Sequence, residues 1–222
     1  MATPSSKAGT KGVPREQRRQ QILAAATEEF GTHGYAGASL ASIAARVGVT
    51  KTLLHQYFGT KEDLYLACLA PVGDRLLGVV RDAMDAGGTG SGTTPPTPLR
   101  VLNGIFTALE GQREAWFVLY DRSLPAGGEA ARRAADFRAP IDRLAAEGTA
   151  DVLRTAGSTD PLDADALAYV WRDLVSTLVR WWVKHPEESP EAMTQRCARL
   201  FAAAAALTTG SSAVHAGLVE DP

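Results

Sequence analysis

Apolar residues recur along this chain every three to four positions, the spacing of helices that bury one face. The first run is Ile22, Ala26 and Phe30, behind Pro14, which suits a helix start because its missing N–H would be unpaired there anyway. This predicts a helix over 14–30, ended by Gly31 and Gly34. Ser39 then stands as N-cap before Leu40, Ile43, Ala44 and Val47, a second helix. Gly48 breaks it and is expected to take a positive φ. Thr50 caps a third helix that reaches Phe58, and Gly59 stops it. Thr60 caps a fourth, with Glu62 and Asp63 in its first turn, where the helix dipole favours acids.

The fourth helix is expected to end near Ala86, because GGTGSGTTPPTP follows at 87–98. That segment has no core former and reads as a long mobile loop. Helices resume over 98–111 (Leu102, Ile105, Phe106, Leu109), 112–121 (Trp116, Phe117, Leu119, Tyr120) and 128–156. Pro140 is expected to kink the last of these. Two more follow, 163–185 closed by Pro186, and 190–208, before a ragged tail after Gly210. No strand pattern of useful length appears, so the fold class is all-α with about nine helices.

Composition narrows the function. Of 222 residues, 45% are hydrophobic, enough for the core of one large or two small domains. No apolar run reaches the ~18 residues of a membrane span. The opening MATPSSKAGTKGVPREQRRQ lacks the apolar stretch of a secretory signal, so a cytoplasmic protein is expected. Cys68 and Cys197 stand far apart, which disfavours a disulfide framework or a zinc site. The four histidines are scattered, so no metal and no cofactor is expected. Net charge is −2, yet residues 1–61 carry +5 and the rest −7. A basic head on an acidic body points to a polyanionic partner at one end.

The segment from Leu40 to Phe58 is a helix, a glycine turn and a helix, with Leu40, Ile43, Ala44, Val49, Leu54 and Phe58 inward. In a helix-turn-helix the second helix enters the major groove of DNA and the first crosses the backbone. Here the second helix sets Lys51, Thr52, His55 and Gln56 opposite Leu54 and Phe58. The stretch GYAGASLASIAARVGVTKTLLHQYFGTKEDLYLA resembles the DNA-binding region of the TetR family of bacterial transcriptional regulators. Gly34-Tyr35, Ser39, Ile43-Ala44, Gly48-Val49-Thr50, Leu54, Tyr57-Phe58 and Lys61-Glu62 carry the resemblance.

The composition of residues 1–13 reads as a flexible N-terminal arm, and the resemblance implies a three-helix helix-turn-helix DNA-binding domain over 14–60. A helical ligand-binding and dimerisation domain over 61–210, containing the loop at 87–98, and a tail over 211–222 complete the chain. It also implies roles. Lys51, Thr52 and His55 stand where bases are contacted, with Leu53 and Gln56 beside them. Ser39, Thr50, Tyr57 and Lys61 stand where phosphates are held. Two positions depart from the family pattern: His55, where tyrosine is commonest, and Thr52, where glycine is frequent. Arg15, Arg18 and Arg19 are candidates to reach the DNA backbone or minor groove, and a solvated polar face is the competing assignment.

In the C-terminal part, DADALAYVWRDLVSTLVRWWVKH is apolar on more than one side: Leu167, Trp171, Leu174 and Leu178 form one stripe, and Val170, Trp181 and Trp182 extend it. With the final helix this suits a homodimer interface like the family's, built on Leu174, Trp181, Met193, Cys197, Leu200, Phe201 and Ala204. Phe106, Trp116, Tyr120, Phe137 and Trp171 are candidates to line an apolar effector pocket, with Asn103, Arg122 and Arg138 as polar anchors. Simple core packing competes for each aromatic.

The expected function is a regulator that binds a double-stranded DNA operator, most simply a repressor released by a small, largely apolar ligand. A small all-α enzyme is the competing class. No GxSxG, HExxH, phosphate-loop or dinucleotide fingerprint supports it. A helical ligand binder without DNA binding is the third reading, and Thr50, Tyr57 and Lys61 stand against it.

Overall fold

A computed structural model describes residues 13–86 and 95–216, with side chains as far as residue 206. Among the described residues there are nine helices and no strand: α1 (Arg15–Gly37), α2 (Leu40–Val47), α3 (Lys51–Phe58), α4 (Lys61–Asp85), α5 (Thr97–Ala108), α6 (Ala115–Leu119), α7 (Glu129–Thr155), α8 (Pro161–Val183) and α9 (Pro190–Ala216). None of the described helices is long and apolar enough to cross a membrane. Most of the arm at 1–13 and of the loop at 87–98 lies outside the described residues, as does the tail beyond Ala216.

The chain forms two compact units, residues 1–77 with 111–142, and residues 78–110 with 143–222. Packing thus divides the chain elsewhere than the division of tasks expected at residue 60.

In the first unit α1 packs on α2 and α6, and α2 on α3. The three apolar positions read from the α1 pattern, Ile22, Ala26 and Phe30, are all fully buried. Phe30 meets Tyr65 of α4 edge to face at 5.0 Å, and Tyr65 meets Tyr35 the same way at 5.3 Å. The two glycines expected to end α1 do different things. Gly34 does interrupt the helix, at φ 68° and ψ 170°. Gly31 does not: it is helical, and a Cβ there would stand 2.1 Å from the Glu114 carbonyl oxygen. Its role is to let α1 approach the backbone that leads into α6. Gly73 of α4 plays a similar part against the Phe137 ring, 2.4 Å from where a Cβ would be.

In the second unit α5 packs on α9. Phe106 of α5 meets Trp182 of α8 edge to face at 5.3 Å, and both are fully buried. The buried stripe of α8 is Ala168, Val175, Val179 and Trp182, not the expected Leu167, Trp171, Leu174 and Leu178, which are half-buried. With apolar residues all around, the pattern alone does not fix the rotation of the helix. Other boundaries shift modestly. Asp160 caps α8 by accepting from the Leu162 N–H at 2.9 Å, so that helix starts at Pro161. Helix α7 runs through Pro140 and α9 runs past Gly210.

Candidate nucleic-acid interface

Each end of the helix-turn-helix is fixed by local chemistry. The Ser39 hydroxyl accepts from the Ser42 N–H at 3.3 Å and starts α2. Gly48, at φ 70°, lets the chain turn back, so that its own N–H reaches Ala45 and the Val49 N–H reaches the Ala44 carbonyl at 2.9 Å. Thr50 starts α3 by accepting from the Leu53 N–H at 3.1 Å. A hydroxyl used this way keeps its own proton to donate, so Ser39 and Thr50 can each offer it to a phosphate oxygen at a helix N-terminus.

On α3, Leu54 is fully buried, Leu53, Tyr57 and Phe58 are half-buried, and Lys51, Thr52, His55 and Gln56 are exposed. The polar fringe therefore points to solvent while one leucine anchors the helix. Lys61 is half-buried, its ammonium donates to the Ala38 carbonyl at 2.7 Å, and it sits 5.0 Å from the centre of the Tyr35 ring. That bond brings the charge beside Ser39 and leaves two N–H donors for a phosphate. His55 Nδ1 lies 2.6 Å from the Gly59 carbonyl. Arg15 and Arg19 lie 5.7 Å and 5.6 Å from the ring centres of Tyr57 and Phe58.

Arg18 departs from its expected part. It is 8% exposed and donates to Gln21 and to the Val47 carbonyl at the end of α2. It holds α1 to α2 rather than reaching outward. Two carboxylates missed in the sequence do comparable work. Glu29, nearly buried, accepts from the Ser39 N–H at 3.0 Å. Asp121 accepts from the Tyr35 N–H at 2.6 Å and from the Ser123 N–H at 2.7 Å, tying the Gly34 turn to the segment after α6. Glu29 reaches a residue 10 positions on and Asp121 one 86 positions back, so no local motif announces either.

The start of α4 is a reciprocal cap. Asp63 accepts from the Thr60 N–H at 2.8 Å and from its hydroxyl at 2.7 Å, while the Thr60 hydroxyl accepts from the Asp63 N–H. These bonds favour the charged carboxylate and hold Asp63 below the ordinary aspartate range. A depressed folded-state value stabilises above the unfolded pKa, and that contribution is lost as pH falls through the lower folded value. Carbon-detected NMR titration should place Asp63 below the ordinary ~3.9, and Thr60→Ala should move it back up. A titration unchanged by Thr60→Ala would contradict this cap.

The aromatic residues expected around an effector are distributed over both units. In the first, Trp116 stacks on Tyr120 with ring centres 4.4 Å apart, and Phe137 lies under Arg133. In the second, Phe106 packs on Trp182 and Trp171 lies 6.4 Å from Phe201. A cleft of about 490 Å³ in the first unit is mainly polar, bordered by Arg18, Glu28, Arg46 and Glu114. Another of about 550 Å³ in the second is bordered by Val79, Leu99, Asn103 and Thr194. Of the three expected anchors, Asn103 borders the second cleft, and Arg138 donates to the Leu119 carbonyl at 3.3 Å.

The expected interface residues also separate. Leu200 is 52% exposed and Ala204 is exposed, while Leu174, Trp181 and Phe201 are half-buried. Met193 and Cys197 are fully buried by this single chain, so neither offers surface to a partner. They lie inside because α9 packs on α5. Val170 of the expected apolar surface is 58% exposed on α8, and Tyr169 beside it, absent from that expectation, is 64% exposed. Burial pushes the Cys68 thiol up to about 12 and Cys197 to about 11, far from thiolate reactivity.

Two capped eight-residue helices around a left-handed glycine, with the second anchored inward and polar outward, define a helix-turn-helix, the motif that sets its second helix in the major groove where it binds DNA. Residues 22–68 match the family model of bacterial regulatory proteins, tetR family. The HTH-type transcriptional activator FasR of Mycolicibacterium smegmatis is 46% identical over 72 residues, 32% of this chain and 33% of FasR. The chain thus matches about a third of the length of that curated relative. A TetR-like transcriptional regulator from Rhodococcus sp. RHA1 is 26% identical and superimposes with a TM-score of 0.55 over 83% of this chain and 93% of its own. A TetR-family regulator from Bordetella parapertussis 12822 shares the fold at 20% identity, with a TM-score of 0.64 over 85% and 95% of the two chains. Residues 22–68 are thus similar to the DNA-binding region of the tetR family of bacterial regulatory proteins, and the chain shares its fold with solved TetR-like regulators.

Proposed function

We propose that this protein is a sequence-specific DNA-binding transcriptional regulator that acts as a homodimer in the cytoplasm. The observation that carries the reading is α3 itself, where exposed Lys51, Thr52, His55 and Gln56 ride on buried Leu54 between the Thr50 cap and the Gly59 stop. Lys51, Thr52 and His55 meet base edges, with Leu53 and Gln56 beside them. Ser39, Thr50, Tyr57 and Lys61 hold phosphates and set the register. Residues 14–60 make the DNA-binding domain, and the helices after residue 60 bind an effector and dimerise. The apolar surface of Tyr169, Val170 and Leu200 is the centre of the homodimer contact, joined by Leu174, Trp181, Phe201 and Ala204. A two-fold dimer sets its recognition helices roughly 34 Å apart, one DNA turn.

The effector is a small, largely apolar molecule held by aromatics of one unit, Trp116, Tyr120 and Phe137 in the first or Phe106 and Trp171 in the second. Its binding lowers DNA affinity by as much as it prefers the non-binding state. Repression follows when the operator overlaps a promoter. Activation is the second reading, favoured by the name of FasR, and depends on where the operator lies rather than on α3. The acyl-enzyme, metal and nucleotide chemistries have no motif in the sequence, and the chain is read as a regulator without enzymatic activity.

The test is salt dependence on selected DNA. Fragments enriched from random duplexes by the purified full chain should bind with a steep negative slope of log K against log salt. Lys61→Met should flatten that slope by about 2 for a dimer, one phosphate per protomer, while leaving sequence preference unchanged. No enrichment, or an unchanged slope in the variant, would remove the DNA-binding role or the Lys61 contact respectively.

A further inference from the structure

His55 differs from the rest of the exposed fringe in being held from within its own helix end. Its Nδ1 is 2.6 Å from the Gly59 carbonyl oxygen. A carbonyl only accepts, so in neutral imidazole the proton sits on Nδ1 and Nε2 is left with a lone pair. The Gly59 carbonyl is itself fixed. Gly59 adopts φ 76°, its N–H returns to the His55 carbonyl at 2.8 Å, and Asp63 crowds the place where a Cβ would stand, 2.7 Å away. The ring therefore has one tautomer and restricted rotation before any ligand arrives.

The neighbours on α3 offer different groups. The Lys51 ammonium only donates, and the Thr52 hydroxyl and Gln56 amide both donate and accept. Among the exposed side chains of α3, His55 is the one that presents an acceptor without a donor. In the major groove only two groups are donors, the N6 amine of adenine and the N4 amine of cytosine. Guanine N7 and O6 and thymine O4 are acceptors and would face the Nε2 lone pair unfavourably.

We propose that His55 is a specificity-determining residue that accepts, through Nε2, from the exocyclic amine of one adenine or cytosine in each operator half-site. The proposal rests on the DNA-binding reading and adds the chemical class of base read at this position. A tyrosine or lysine at the same place would carry a donor, so this departure from the family's common residue changes which bases are compatible.

Two measurements test it on the full chain. In the free protein, at a pH where imidazole is neutral, nitrogen NMR of the histidines should show His55 with a protonated Nδ1 and a pyridine-like Nε2. A protonated Nε2 would overturn the proposal without touching DNA binding. On the selected operator, bases are replaced one at a time by analogues lacking the amine, purine for adenine and 2-pyrimidinone for cytosine. One position per half-site should cost wild type about tenfold in affinity. His55→Ala, whose substitution is on the surface, should be indifferent to the analogue at that position and sensitive at the others. If His55→Ala retains the full analogue penalty everywhere, or if its missing discrimination maps to a guanine tested with 7-deazaguanine, the proposal fails while the regulator reading stands. If no duplex is enriched at all, both fall together.

Discussion

Gly31→Ala should destabilise the first unit by about 3 kcal/mol, toward the upper end of what overpacking costs. Alanine is otherwise the better helix former by roughly 1 kcal/mol, so propensity alone predicts the opposite sign. The clash decides it. A Cβ at Gly31 would sit 2.1 Å from the Glu114 carbonyl oxygen, 2.6 Å from its carbon and 2.7 Å from its Cβ. Two of these are backbone atoms that cannot rotate aside, so α1 and the segment before α6 would have to separate. Gly78 supplies the control, because a Cβ there meets nothing within 4 Å. Gly78→Ala should stabilise by up to about 1 kcal/mol. Urea unfolding of the full chain reads Gly31→Ala in the first unit through Trp116 fluorescence, and Gly78→Ala in the second through Trp182 fluorescence, each with the other three tryptophans replaced by phenylalanine. A Gly31→Ala midpoint at or above that of the parent would refute the close approach.

The same glycine shows where sequence reading stops. Ser39, Gly48, Thr50, Gly59 and Thr60 act on atoms within about four residues of themselves, so spacing alone displays their roles. The helix-turn-helix was legible for that reason, and its family resemblance follows the same residues. Gly31, Glu29 and Asp121 act on partners 10 to 86 residues away. A glycine that ends a helix and one that admits a neighbour look alike until the neighbour is placed. Arg18 likewise looks like Arg15 and Arg19, and only its burial distinguishes it. In α8 and α9 apolar residues occupy several faces, so the pattern shows that burial occurs but not against what. Cys197 and Leu200 are both apolar and three residues apart, yet one is fully buried and the other half exposed.

Leu54→Ala should separate the two duties of α3, being a helix and being in place. Leu54 is fully buried, and removing such a side chain costs about 2–5 kcal/mol. Eight residues are too few for an isolated helix to persist in water, where about 12–15 are marginal. Helix α3 therefore exists because it is docked, and Leu54 is its one fully buried contact. The variant should melt lower, and its operator affinity should fall at least about tenfold even at temperatures where the rest of the unit stays folded. Amide exchange should localise the loss, with protection falling across Lys51–Phe58 more than across α1. Lys51→Ala is the counterpart. Its side chain is exposed, so stability should change by no more than about 0.5 kcal/mol while operator affinity still drops. Should Leu54→Ala bind operator as tightly as the parent, α3 would not be the element that DNA holds, however well its polar fringe is exposed.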